Sequence, residues 1–277
     1  MPALSRTVAT VAAVTLAGAV VAGCGSSNNS SSTPTSTTTA TSSSSGGGGG
    51  GGQVSGTVTV FAAASLKEAF TTLGSQFEAA HPGTKVRFSF DASSALALQI
   101  NQGAPADVFA SAATSNMKQV TDAGGATAPT NFVKNVMEIA VPPANPAHIA
   151  SVADLGKSGV KVALCQPQVP CGATAATVFT NAKVTVKPVT LELDVKATLT
   201  KVQTNEVDAG VVYVTDVRSA GKAVTGIPIP PDVNASTEYP IAALSKAPNA
   251  AGGKAFVDYV LSPAGQGVLT ADGFAKP

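Results

Sequence analysis

From about Val54 onward the sequence predicts an α/β protein built from layered, largely parallel sheets. Strand-like and helix-period segments alternate through most of that stretch, the pattern of strands joined by crossover helices. The stretch is about 220 residues long, enough for two lobes or one large domain. No sequence repeat divides it.

The first strand, Thr57 to Ala62, leads into a helix from about Leu66 to Ala80. Leu66, Phe70, Leu73, Phe77 and Ala80 keep to one helical face, and Pro82-Gly83 stops the helix. "KVRFSFDAS" reads as a second strand, "SALALQINQG" as a short helix ending at Gly103, and "ADVFASA" as a third strand. "SNMKQVTDAGG" is a helix with Thr114 or Ser115 as its cap and glycine at its end. "NVMEIAVPP" is a strand with a proline-rich exit, and "VKVALCQ" another strand. "GATAATVFTNA" and "DVKATLTKVQTNE" are helices, the second behind Asp194 as cap, and "AGVVYV" is a buried strand. "GKAFVDYVLS" is a late helix, followed by a short one behind Ser262-Pro263.

The residues ahead of this domain read as export machinery. Arg6 precedes an apolar run from Val8 to Ala22, so residues 1–23 have the form of a signal segment rather than of a membrane span. The run ends in Val21-Ala22-Gly23-Cys24, which resembles the lipobox of bacterial lipoproteins. Cys24 would then carry the lipid that anchors the chain to the outer face of the membrane; an incidental cysteine after a plain secretory signal is the competing reading. Residues 24–56, rich in Ser and Thr and holding seven consecutive glycines, cannot bury apolar surface and predict a flexible tether.

Charge excludes some partners. The net charge is +1, and loss of Arg6 with the signal leaves 16 basic (17 − 1) against 16 acidic residues. No basic run or basic-aromatic face is present, so nucleic acid is not an expected partner. Cys165 and Cys171 form an even pair in a chain expected to leave the reducing cytoplasm, which favours a disulfide. Metal binding is the weaker competitor, since neither His81 nor His148 is near them in sequence.

Sheets of this kind hold ligands at the carboxyl ends of their strands. Four strand-to-helix junctions stand out: Ala64-Ser65, Ala92-Ser93-Ser94, Pro170-Cys171-Gly172 and Asp194-Val195. Each presents backbone N–H groups at a helix start, where unpaired donors and a positive dipole end favour an anion. None of the four turns contains Lys or Arg, and Arg87 and Arg218 fall outside them. Catalysis is not expected: Ser65 and Ser93 lack the glycines that flank a nucleophile elbow. His81 sits in a helix stop and His148 in a loop, both as solvated side chains.

The runs "TVFAAASLKEAF", "FDASSALALQINQGAPADVFASA", "VPCGATA", "LDVKATLTKVQTNEVDAGVVYVTDV" and "EYPIAAL" occur in this order. Together they resemble the molybdate-binding proteins of bacterial molybdate ABC importers, over nearly all of Val58 to Pro277. "QINQGAPADVFASA" is the most specific piece. The resemblance implies a two-lobed periplasmic-binding-protein type II architecture with the ligand in the cleft. Residues 57–133 plus 240–277 would form one lobe and 134–239 the other, with crossings near Lys134–Val141 and Glu238–Ile241.

The family's ligand contacts fall on Ser65, Ser93, Cys171, Val195 and Tyr213, with Ser94 the substitute for Ser93 if the register slips by one. Cys171 replaces a customary alanine, in a contact made by the backbone N–H. Val169 stands where some relatives place a carboxylate, which favours tetrahedral oxyanion binding without direct metal coordination. A Cys165–Cys171 bond would hold the N–H of Cys171 in place. Tyr239 and Tyr259 are expected to serve core packing alone. The implied ligand is molybdate, with tungstate close behind, and no cofactor. The implied partners are the importer's permease and ATPase, and the implied state is a monomer. A binding lipoprotein for sulfate, phosphate or an organic anion is the alternative.

Overall fold

The computed structural model describes residues 54–277. The expected signal segment, the lipidated Cys24 and the tether as far as Gln53 lie outside the described residues. In chain order the elements are β1 (Gly56–Ala63), α1 (Lys67–Ala80), β2 (Thr84–Asp91), α2 (Ser93–Asn101), β3 (Val108–Ala110) and α3 (Thr114–Asp122). Then come β4 (Thr130–Val141), β5 (Val162–Cys165), α4 (Pro170–Ala182), β6 (Thr190–Glu192), α5 (Val195–Gln203), β7 (Ala209–Tyr213) and α6 (Val214–Ala220). The chain closes with β8 (Thr225–Pro228), β9 (Ser236–Ala243), α7 (Ala250–Leu261) and α8 (Pro263–Ala271).

The strands run in the order β2-β1-β3-β9-β4-β7-β5-β6, with β8 also paired to β4. The α/β expectation holds, and the largely parallel one needs correcting. The β1–β2, β1–β3, β5–β6 and β5–β7 pairs are parallel. The β3–β9, β4–β7, β4–β8 and β4–β9 pairs are antiparallel. The cause is β4: its Thr130–Val136 segment pairs with β9, and Met137–Val141 continues into pairing with β7 and β8. One strand therefore feeds two parallel α/β halves.

Each half has its own buried cluster. Around β1 and β3, Phe70, Phe77 and Phe256 pack edge to face, with ring centroids 6.0 Å (Phe70–Phe256) and 5.3 Å (Phe77–Phe256) apart. Around β5 and β7, Val162, Ala163, Val178, Leu199, Val202 and Val211 form the second cluster. Leu66, Phe70, Leu73 and Phe77 are fully buried, as the periodicity required. Ala80 is exposed at the end of α1, one turn past the last contact. At α3 the expected cap fails: Thr114 is already helical, and Ala113 holds the cap position with no side-chain acceptor. At α5 and α8, by contrast, Asp194 and Ser262 cap as expected.

Candidate functional site

Four helix starts meet at one place. β1 ends at Ala63 and turns through a single 3-10 turn, Ala64–Leu66, into α1, which leaves Ser65 buried. β2 ends at Asp91, whose carboxylate accepts the N–H of Ala92 at 2.7 Å, and Ser93 opens α2. The strap after β5 returns through Pro170, the first residue of α4, and delivers Cys171. After β6, Asp194 accepts the N–H groups of Lys196 (2.7 Å) and Ala197 (2.9 Å) at the start of α5. That cap leaves Val195 N–H, the first of the helix, without an intrahelical partner.

These turns enclose a hollow of about 20 Å3, lined among others by Ala64, Ser65, Ser93, Cys171, Val195 and Tyr213. That is room for one water molecule or one compact ion. All five residues singled out as contacts face it, whereas Ser94 is not among its lining residues. Asp91 and Asp194 also line it, their carboxylates engaged with backbone N–H groups of their own turns. Among the described residues no Lys or Arg lines it.

The hydroxyls are placed for donation. Ser93 Oγ accepts the N–H of Ala112 at 2.8 Å, so its own hydrogen is left for another acceptor. Ser65 Oγ shares a 2.8 Å hydrogen bond with the hydroxyl of Tyr239. Tyr213 ends β7 with 1% exposure, and its phenol has no hydrogen-bond partner among the described residues. Burial, reinforced by neighbouring Tyr239, pushes the Tyr213 hydroxyl well above the usual phenol range. Burial raises Tyr239 as well. Both phenols are therefore held as protonated donors.

Cys165 and Cys171 are joined in a disulfide with Cα atoms 5.8 Å apart. It ties the end of β5 to the first turn of α4. Gly172 lets the strap pass: a Cβ there would lie 2.0 Å from the carbonyl oxygen of Gln166.

Sequence reasoning missed two participants. Tyr239, expected to do nothing beyond packing, holds Ser65; its partner is 174 positions away, and no local pattern marks such a pair. Lys196, next to Val195, lies 2.8 Å from Glu68 Oε2 and 3.0 Å from Asp216 Oδ1. Tyr259 reaches Gln76 instead, through a 2.8 Å hydrogen bond from its hydroxyl. His81, expected in solvent, is half-buried against the Phe77 ring, with its Nδ1 3.0 Å from the Phe77 carbonyl. His148 is exposed in its loop.

Comparison with known proteins gives the family and the fold. Residues 58–275 match the family model described as bacterial extracellular solute-binding protein. The chain is 44% identical over 226 residues to the molybdate-binding protein ModA of Mycobacterium tuberculosis, covering 81% of this chain and 87% of that one. The fold matches the periplasmic molybdate-binding protein of Azotobacter vinelandii with a TM-score of 0.72 at 18% identity, over 79% of this chain and 99% of that one. It also matches the sulfate-binding protein SubI of M. tuberculosis, with a TM-score of 0.71 at 17% identity, over 79% and 86%. Proteins of this kind carry solutes and are not enzymes. With the family model spanning both halves and all four turns, the chain belongs to the bacterial extracellular solute-binding proteins.

Proposed function

We propose that this protein captures molybdate outside the membrane and delivers it to an ABC importer, with tungstate as a second ligand. The observation that carries the reading is the buried hydroxyl of Tyr213, without a hydrogen-bond partner among the described residues and set at a hollow ringed by helix starts, with no described Lys or Arg in its lining. A dehydrated dianion needs every oxygen satisfied. N–H groups of the turns at Ser65, Ser93, Cys171 and Val195, with the hydroxyls of Ser65, Ser93 and Tyr213, are donors of the right sign for that. The 44% identity to the mycobacterial molybdate-binding protein supports molybdate as the ion; the likeness to a sulfate-binding protein is one of fold alone.

The N–H and hydroxyl donors of the turns suit a fully deprotonated dianion, while Asp91 Oδ1 and Asp194 Oδ1 accept backbone N–H groups of their own turns. Residues 57–133 with 240–277, and 134–239, would be the two lobes that close on the ion, bending where β4 and β9 pass between them. A lipid on Cys24 and the tether behind it would keep the loaded protein within reach of the permease, as a monomer.

Melting temperatures of the purified protein with molybdate, tungstate, sulfate or phosphate at equal concentration test this. A ligand at 100 times its dissociation constant stabilises the native state by about 2.7 kcal/mol, or roughly 2–4 °C per kcal/mol at this size. Shifts with molybdate and tungstate alone are the expected result. A shift with sulfate in place of molybdate reassigns the ion, and no shift with any of the four removes the oxyanion reading.

A further inference from the structure

We infer that Lys196 is a latch across the cleft, fixed to one half by Asp216 and closing on the other through Glu68, and that it sets how long a bound anion stays. This rests on the oxyanion reading for its consequence, though not for its geometry. Glu68 stands in the first turn of α1, three positions after Ser65, in the half built on β1 and β3. Lys196 stands in the first turn of α5, directly after Val195, in the half built on β5 and β7. Their 2.8 Å contact therefore spans the two sides of the hollow, joining the turn that carries one expected ligand contact to the turn that carries another.

A cation in the first turn of a helix is on the wrong side of its dipole. Lys196 must therefore be held there by something other than α5. Its ammonium is 3.0 Å from Asp216 Oδ1, donates to Ser219 Oγ at 3.1 Å, and its side chain is 21% exposed. Asp216 is fully buried and belongs to the same half, so this arm cannot open without stranding a charge. Glu68 is 45% exposed and rehydrates readily when the halves part. The two arms differ in kind: one is permanent and the other is made and broken with closure.

Lys196 does not line the hollow. It is a positioning residue that acts on the anion through the separation of the two halves. Arg218 and Asp272 border Glu68 on a neighbouring hollow of about 260 Å3, so removal of Lys196 would leave Arg218 free to take its place. The informative change is Glu68→Gln, which keeps the shape of α1 and leaves the Lys196–Asp216 arm intact.

The test compares the purified protein and its Glu68→Gln variant in stopped-flow molybdate binding and in small-angle scattering without ligand. The latch predicts a dissociation rate about 1.5- to 5-fold faster, a loss typical of one partly exposed ion pair, with the association rate and the ligand-free melting temperature little changed. It also predicts a larger radius of gyration for the ligand-free variant. Equal dissociation rates and equal scattering would overturn it. If the parent protein binds no molybdate, the oxyanion reading fails by itself, and the scattering comparison alone still decides whether Glu68 holds the halves together.

Discussion

Tyr213 is the residue at which stability and binding pull in opposite directions. Its hydroxyl is buried without a partner among the described residues, which costs a folded protein about 1–3 kcal/mol. Tyr213→Phe should therefore leave the ligand-free melting temperature unchanged or raise it. Anion affinity should fall about 10- to 100-fold, since a hydrogen bond to a charged group contributes roughly 1.5–3 kcal/mol. Calorimetric titration beside a melting curve separates the two effects; unaltered affinity would remove Tyr213 from the site. The proton ledger gives a second expectation. A free phenol titrates near 10, and both buried tyrosines are shifted upward. The donor form thus persists as pH rises through the ordinary range. Affinity should vary less than about threefold between roughly pH 6 and pH 9, measurable by repeated titration, whereas a steep fall in that window would mean that another group titrates in the site.

Among the elements, the strap from β5 to α4 is the most constrained. Its disulfide closes a short loop between residues six positions apart, which on the chain-entropy model contributes about 2 kcal/mol. Replacing both Cys165 and Cys171 by Ser should lower the denaturant midpoint accordingly and weaken anion binding, because the N–H of Cys171 is no longer held at the hollow. A variant with unchanged affinity would confine the disulfide to stability. The junctions that carry this chemistry were legible in the sequence, because a cap such as Asp194 or a serine at a helix start is a local signal. What stayed hidden was non-local. β9 contains Pro240, which reads as a strand breaker. It is tolerated opposite Asn131, where the pairing with β4 shifts register before Val133. β6 is three residues long and lies at the end of the strand order, too short for periodicity to register. The hydrogen bond between Tyr239 and Ser65 and the ion pair between Lys196 and Glu68 join residues that meet only once the sheet order is known.

For the molecule as a whole, β4 and β9 are common property. β9 pairs with β3 on one edge, Ala110 beside Ile241, and with β4 on the other. Lys134 pairs in turn with Ala275 near the end of the chain. A chain lacking residues 236–277 should consequently fail in both halves, with amide protons of β1 exchanging as fast as those of β7. Protection retained in β1–β3 would show that the first half stands by itself. The same arrangement fixes a timetable during translation. Sheet contacts 131 positions apart (241 − 110) cannot form while the intervening chain is still being made. Ser65, among the first site residues to leave the ribosome, waits for Tyr239, which is among the last, and until then there is no receptor for an ion to find.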